Sequence, residues 1–341
     1  MHIRLRASYS FLLCVLALGA CDSETRHHLA QFHGDTMGTT WTVKITDPPV
    51  QPDQVALQKE LEDELRSINN SMSTYIDDSE LSRLNHYRDS KPFPLSNPLY
   101  TVLDEALRIS QLSGGAFDVT VGPLVNLWGF GPEPRMDHIP DEADIRETLS
   151  HTGANKIRLQ AQPPAATKLD PDVYIDLSAI AKGYAVDRLA DTIERYGIKN
   201  YMVEIGGELR LHGINERGKP WTIAVEKPDP MSRSALVLIH PGSAAVATSG
   251  DYRNYYEENG IRYSHTINPA TGRPITHKLA SVTVITERCM TADALATALM
   301  VMGPERGLAF AQQHKLAVLF LVKTETGFDS IPTDAFKPYL N

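Results

Sequence analysis

The stretch NYMVEIGGELRLHG, residues 200–213, reads as a strand, a two-glycine turn and a second strand. Paired glycines supply the positive φ that a tight hairpin turn requires. A hairpin joins antiparallel neighbours, so this chain is not built only from parallel strands and crossover helices. Working outward, YRNYYEENGIRYSHTINP (252–269) has the form of another hairpin, turning at Asn259-Gly260. Further strands are expected at TTWTVKIT (39–46), WTIAVE (221–226), ALVLI (235–239), SAAVATS (243–249), LASVTVIT (279–286) and LAVLFLV (316–322). Helical spacing runs through Val55, Leu61, Leu65 and Ile68, with Asp53 as N-cap. Other helices are expected at 99–115, where paired glycines end the pattern, near 141–150, at 178–197, at 291–302 and near 304–314. Hairpins mixed with helices predict an α+β fold: layered mixed or antiparallel sheets with packed helices, in a single compact domain. The Gly/Pro-rich loop around 130–140 is the best candidate for an internal boundary.

The chain has 341 residues, 42% apolar and 22% charged, enough for one large core. A formal charge of −9 argues against nucleic acid as a partner. The leader MHIRLRASYSFLLCVLALGAC carries Arg4 and Arg6, then an apolar run, then small residues before Cys21. It reads as a secretory signal, too short to span a membrane. LGAC (18–21) also resembles a bacterial lipobox, which implies cleavage before Cys21 and a lipid on its sulfur; the bland alternative is a cysteine that ends a plain signal. Asp22 resembles an inner-membrane retention signal. Cys14 leaves with the leader and Cys21 carries the lipid, so only Cys289 remains and there is no disulfide framework. The expected organisation is signal peptide 1–20, lipid-anchored tether 21–33 and main domain 34–341, on the periplasmic side of the inner membrane. The polar part of the tether reaches roughly 30 Å at about 3.3 Å per residue.

Chemistry concentrates in a few stretches. In CMTADALATALMVMG (289–303), Asp293 and Thr297 stand four apart, on one helical face, among alanines, leucines and methionines. Thr291 is expected to cap this helix, with Asp293 in its first turn, where the dipole favours a carboxylate. One carboxylate and one hydroxyl also suit Mg²⁺ and leave positions open for substrate phosphates. In DVYIDLSAIAKGYAVDRL (172–189), a strand delivers Asp176 to a helix start, where unpaired N–H groups favour anions. Capping by Asp176 or Ser178 is the structural alternative. Lys182 in the first turn runs against the dipole, and Gly183 lets something approach the backbone closely. In SGGAFDVTVGPLVNLWGFG (113–131), the glycines with Phe117 and Trp128 suit the floor of a pocket for a flat ring, with Asp118 as polar handle, or equally a core. His265, in HTINPATGRP, ends a strand before a Pro/Gly loop. No Walker loop, no G-x-G-x-x-G after the first strand, no G-x-S-x-G and no H-E-x-x-H is present.

Taken together and in order, MGTTW, MSTYIDDSELSRLN, GGAFDVTVGPLVNLWGFG, DLSAIAKGYAVDRL, EIGGEL, ATSGDYRNYY, HTINPATGRP and TADALATAL resemble the FAD:protein FMN transferase family, also known as ApbE. The resemblance runs from about residue 34 to 325. It implies an enzyme that cleaves FAD, releases AMP and joins FMN through its phosphate to an acceptor threonine. It implies Mg²⁺ held by Asp293, Thr297 and the backbone carbonyl of Ala179. FAD contacts fall on Met37, Tyr75, Ala116, Phe117, Asp118, Asp176, Lys182 and Ile267, and His265 matches a histidine implicated in transfer. Implied acceptors are subunits of redox-driven sodium pumps or related electron-transport complexes. Asn268 stands where Asp is common and Ala179 where Thr is common; a main-chain carbonyl is indifferent to the second change. An FAD pyrophosphatase or a non-catalytic FAD-binding lipoprotein would share these residues.

Overall fold

In the computed structural model, which describes residues 27–49, 53–131, 139–228, 234–251, 254–258 and 260–340, the glycine-turn hairpin forms as expected. Tyr201–Ile205 pairs antiparallel with Glu208–His212, and Gly206 and Gly207 take φ of 59° and 105°. The pair lies inside an eight-stranded main sheet: β1 (Leu29–Thr36), β2 (Thr39–Thr46), β3 (Tyr201–Ile205), β4 (Glu208–His212), β5 (Ala245–Gly250), β6 (Leu279–Thr286), β7 (Ala317–Lys323) and β8 (Phe328–Pro332). Their order across the sheet is their order along the chain, and each neighbouring pair is antiparallel. The fold is α+β, as the hairpins indicated.

Residues 29–33, assigned to the tether, belong to β1. Ala30 and Phe32 are buried while Gln31, His33 and Asp35 face solvent. On an edge strand that outward row makes the segment look like a polar linker, although its other face joins the core.

Seven helices are present among the described residues: α1 (Gln54–Met72), α2 (Glu80–His86), α3 (Asn97–Leu112), α4 (Gly122–Leu127), α5 (Glu142–Ser150), α6 (Ala181–Arg195) and α7 (Cys289–Gln313). The expected N-cap holds: Asp53 accepts the Val55 N–H. The short α2 and α4 were not expected, nor was a small sheet of Phe93–Pro94, Ile157–Ala161 and Pro164–Lys168. The helices expected at 291–302 and 304–314 are one run broken at Gly303, whose φ is 78°, with Pro304 following.

Alternation along β7 explains the layers. Val318 and Phe320 enter the main core under α6 and α7, whereas Leu319 and Leu321 enter a second core with Trp221, Ile239 and Phe336 on the opposite face. A strand buried on both faces reads as an unbroken apolar run. A third cluster joins Leu124, Trp128, Ile145 and Ile267, so the two sides of the 130–140 loop share one core and no boundary falls there. No described helix is long and apolar enough to cross a membrane.

Candidate active site

Two helix starts meet here. α6 begins at Ala181 with no side-chain cap from Ile180. Instead, the Gly183 N–H donates to Asp293 Oδ2 of α7 at 3.0 Å. α7 begins at Cys289, and the N–H groups of Cys289 and Met290 donate to the two oxygens of Asp187 of α6, each at 3.0 Å. Helix starts expose N–H groups that no internal carbonyl can reach, and here each helix lends a carboxylate to the other. Gly183 permits the close crossing: a Cβ there would stand 2.4 Å from the Cys289 carbonyl oxygen. What approaches the Gly183 backbone is therefore α7. Thr291 does not cap α7; it lies within the helix and donates to Glu105 Oε1 at 2.6 Å. Asp187 holds the capping role from another helix, which local spacing cannot reveal.

The clamp brings Lys182 beside Asp293. Lys182 Nζ lies 3.5 Å from Glu208 Oε1 and 3.9 Å from Asp293 Oδ2. These two carboxylates account for an ammonium in a helix's first turn. Burial alone would lower the Lys182 pKa, but Asp293 and Glu208 hold it above its ordinary value. Burial raises the Glu208 pKa, and the Lys182 ammonium beside it pulls it back down. Burial raises Asp293 too, opposed by Lys182 and the Gly183 N–H. Among the described residues, the buried Glu208 Oε2 has no hydrogen-bond partner. Sequence reasoning missed Glu208 as a site residue. The signal was there: Leu209 and Leu211 pack in or against the second core, so alternation turns Glu208 and Arg210 toward the helices, and charges facing a core are worth a question.

A cleft in two lobes covers this cluster. One lobe, about 430 Å³, is bordered by Ala116, Phe117, Asp118, Asp176, Ala179, Glu208, Ser249, His265, Ile267, Asp293 and Thr297. The other, about 720 Å³, is bordered by Met37, Met72 and Leu177. Tyr75, Ser178 and Lys182 line both. Every residue expected at a flavin, metal or transfer position thus borders one cleft, while Cys21 lies outside the described residues. They are not alike within it. Asp118 braces a loop: Oδ1 accepts the Thr120 N–H and hydroxyl, and Oδ2 accepts the Ala154 N–H. Asp176 Oδ1 accepts the N–H and hydroxyl of Ser178. Trp128 is core, its indole N–H donating to the Gly272 carbonyl at 2.8 Å, and Phe130 borders the cleft instead. Thr297 Oγ1 lies 3.3 Å from Ser249 Oγ, a contact that no spacing foretold.

His265 is oriented by the backbone. Its Nδ1 lies 3.0 Å from the Asn254 carbonyl, which can only accept, so Nδ1 carries the proton. Nε2 is then left with a lone pair. Burial lowers the His265 pKa below its ordinary value, with the Asn254 bond partly opposing. The ring is a neutral base with one nitrogen pinned.

With this geometry in view, the sequence model of the ApbE family matches residues 37–320, a span that holds all of these cleft residues. The chain belongs to the ApbE family. A Vibrio cholerae serotype O1 protein named FAD:protein FMN transferase is 49% identical over 331 residues, covering 97% of this chain and 98% of that protein. A Haemophilus influenzae protein of the same name is 45% identical over 327 residues, covering 94% of each. The solved structure called flavin transferase ApbE from Vibrio cholerae matches with a TM-score of 0.86 at 49% identity, covering 92% of this chain and 100% of that one.

The donor chemistry of this ApbE chain fits a hard cation. A carboxylate, a hydroxyl and a main-chain carbonyl from Asp293, Thr297 and Ala179 border the same lobe, and Mg²⁺ takes oxygen ligands. The buried Glu208 carboxyl group borders the same lobe. Among the described residues, the one group of three His, Cys, Asp or Glu side chains close enough to share an ion is His151, Asp170 and Asp172. It borders neither lobe, and Lys156 and Arg88 already pair its carboxylates.

Proposed function

We propose that this chain transfers FMN from FAD to a threonine hydroxyl of an acceptor protein, releasing AMP, with Mg²⁺ required. The observation that carries the reading is a two-lobed cleft with one fixed ammonium at its waist. A dinucleotide has two bulky halves joined by a diphosphate, and among the described residues Lys182 is the cation that lines both lobes.

In this reading His265 Nε2 takes the threonine proton while the hydroxyl oxygen bonds to the phosphorus of the FMN half. The bond from that phosphorus to the bridging oxygen breaks, and its electron pair leaves with AMP. Lys182 faces the charge on the departing phosphate. Phosphoryl transfer asks mainly for positioning and charge stabilisation. Mg²⁺ held by Asp293, Thr297 and the Ala179 carbonyl would supply further neutralisation of the diphosphate. We assign the acceptor to membrane subunits of redox-driven sodium pumps or related electron-transport complexes. The catalytic body would hang from a lipid on Cys21 at the periplasmic face of the inner membrane.

The test is an incubation with FAD, Mg²⁺ and a threonine-bearing acceptor. The expected result is flavin fluorescence on the denatured acceptor band with one AMP released per flavin attached. Free FMN and AMP without labelled acceptor would make the chain a pyrophosphatase, and no AMP at all would make it a carrier.

A further inference from the structure

We propose that Glu208 is a positioning residue that holds the Lys182 ammonium away from Asp293 and so keeps that carboxylate open to a divalent cation. The inference rests on the metal reading above and adds a residue to it. The ammonium lies closer to Glu208, at 3.5 Å, than to Asp293, at 3.9 Å. Asp293 Oδ2 already accepts the Gly183 N–H. A full ion pair with Lys182 would occupy the carboxylate a cation needs, and among the described residues Glu208 is the other carboxylate within ion-pair reach of Lys182.

Glu208 is placed for this task by the backbone. It is the first residue of β4, opposite Ile205 across the Gly206-Gly207 turn, and its side chain is 5% exposed. Among the described residues its Oε2 meets no hydrogen-bond donor, so it is not committed to another part of the fold. Replacing Glu by Gln keeps the shape and removes the charge that draws the ammonium. Lys182 then falls onto Asp293 and competes with the cation.

The test measures Mn²⁺ binding by electron paramagnetic resonance on the FAD-free full chain, with ADP present as an unreactive diphosphate. Native protein, Glu208→Gln, Lys182→Met, the double variant and Asp293→Ala are compared. Glu208→Gln should weaken Mn²⁺ binding roughly tenfold, within the range of couplings between contacting groups. Adding Lys182→Met should cancel that loss, so that the double variant binds Mn²⁺ as Lys182→Met alone does. Unchanged binding in Glu208→Gln, or a double variant still weaker than Lys182→Met, overturns the proposal; the second result would make Glu208 a ligand or a plain counter-charge. If Asp293→Ala binds Mn²⁺ normally, or the native chain binds none, the metal reading itself fails, a distinct result. Should Glu208→Gln not fold, Glu208→Asp retracts the charge by one methylene and should show a smaller loss that Lys182→Met again cancels.

Discussion

Asp293 carries two duties on one carboxylate: it caps α6 through the Gly183 N–H, and it is the acid of the proposed metal site. Substitutions separate them. Asp293→Asn keeps an acceptor oxygen for Gly183 and loses the charge, so transfer should vanish with a melting temperature near native. Asp293→Ala should also lose stability, by ~1–3 kcal/mol, the cost of leaving a buried N–H unmet. Thermal melts beside an AMP-release assay read both; equal melting in the two variants would remove the capping role. His265 gives the pH prediction. Burial depresses its pKa, so the imidazole stays neutral, and competent as a base, to lower pH than a free one. The acid limb of kcat/KM should therefore fall below about 6.5, the ordinary imidazole value. His265→Ala should cost ~10²–10⁴ in rate; a limb above 6.5 would point to another base. Asp293 and Thr297 were legible because an i, i+4 pair shares a helix face whatever the fold. Alternation marks Glu208 as an inward-facing charge, but its partner, like that of Ser249, lies more than 25 residues away in the chain and no local spacing names it.

At the scale of elements, the α6–α7 crossing matters most. Gly183→Ala sets a methyl against the Cys289 carbonyl, and overpacking of that kind costs ~1–3 kcal/mol. The helices must part, carrying Asp293 from Lys182, so a lower melting temperature and a loss of Mg²⁺-dependent transfer should appear together. A variant that melts lower yet transfers normally would uncouple the crossing from the site. Asp187→Ala removes the partner of two N–H groups and should do the same from the other side. The glycine-turn hairpin was readable because its turn chemistry is local. The cap of α7 was misassigned to Thr291 because the true cap comes from α6, and β1 passed for tether because an edge strand shows half its residues to water.

At the scale of the whole molecule, one sheet bears two cores, and the cleft lies where helix starts, the glycine turn and the His265 loop converge. FAD, binding the folded state alone, should raise the melting temperature by linkage, more with Mg²⁺ than without; an equal shift in both conditions would argue against a metal bridging protein and diphosphate. Cys21→Ser should move the protein from membranes to the soluble fraction, read by fractionation and by mass of the N-terminal peptide, and unchanged membrane association would end the lipid-anchor proposal. By itself the sequence determined the helices and strands with strong periodicity, the α+β class and the paired oxygens of α7, because those follow from turn chemistry and from which residues share a face. Only the tertiary structure decided that α6 and α7 cap one another, that Glu208 stands with Lys182, and that Trp128 is core while Phe130 borders the cleft. Those facts depend on distances between residues far apart in the chain, and no local spacing carries them.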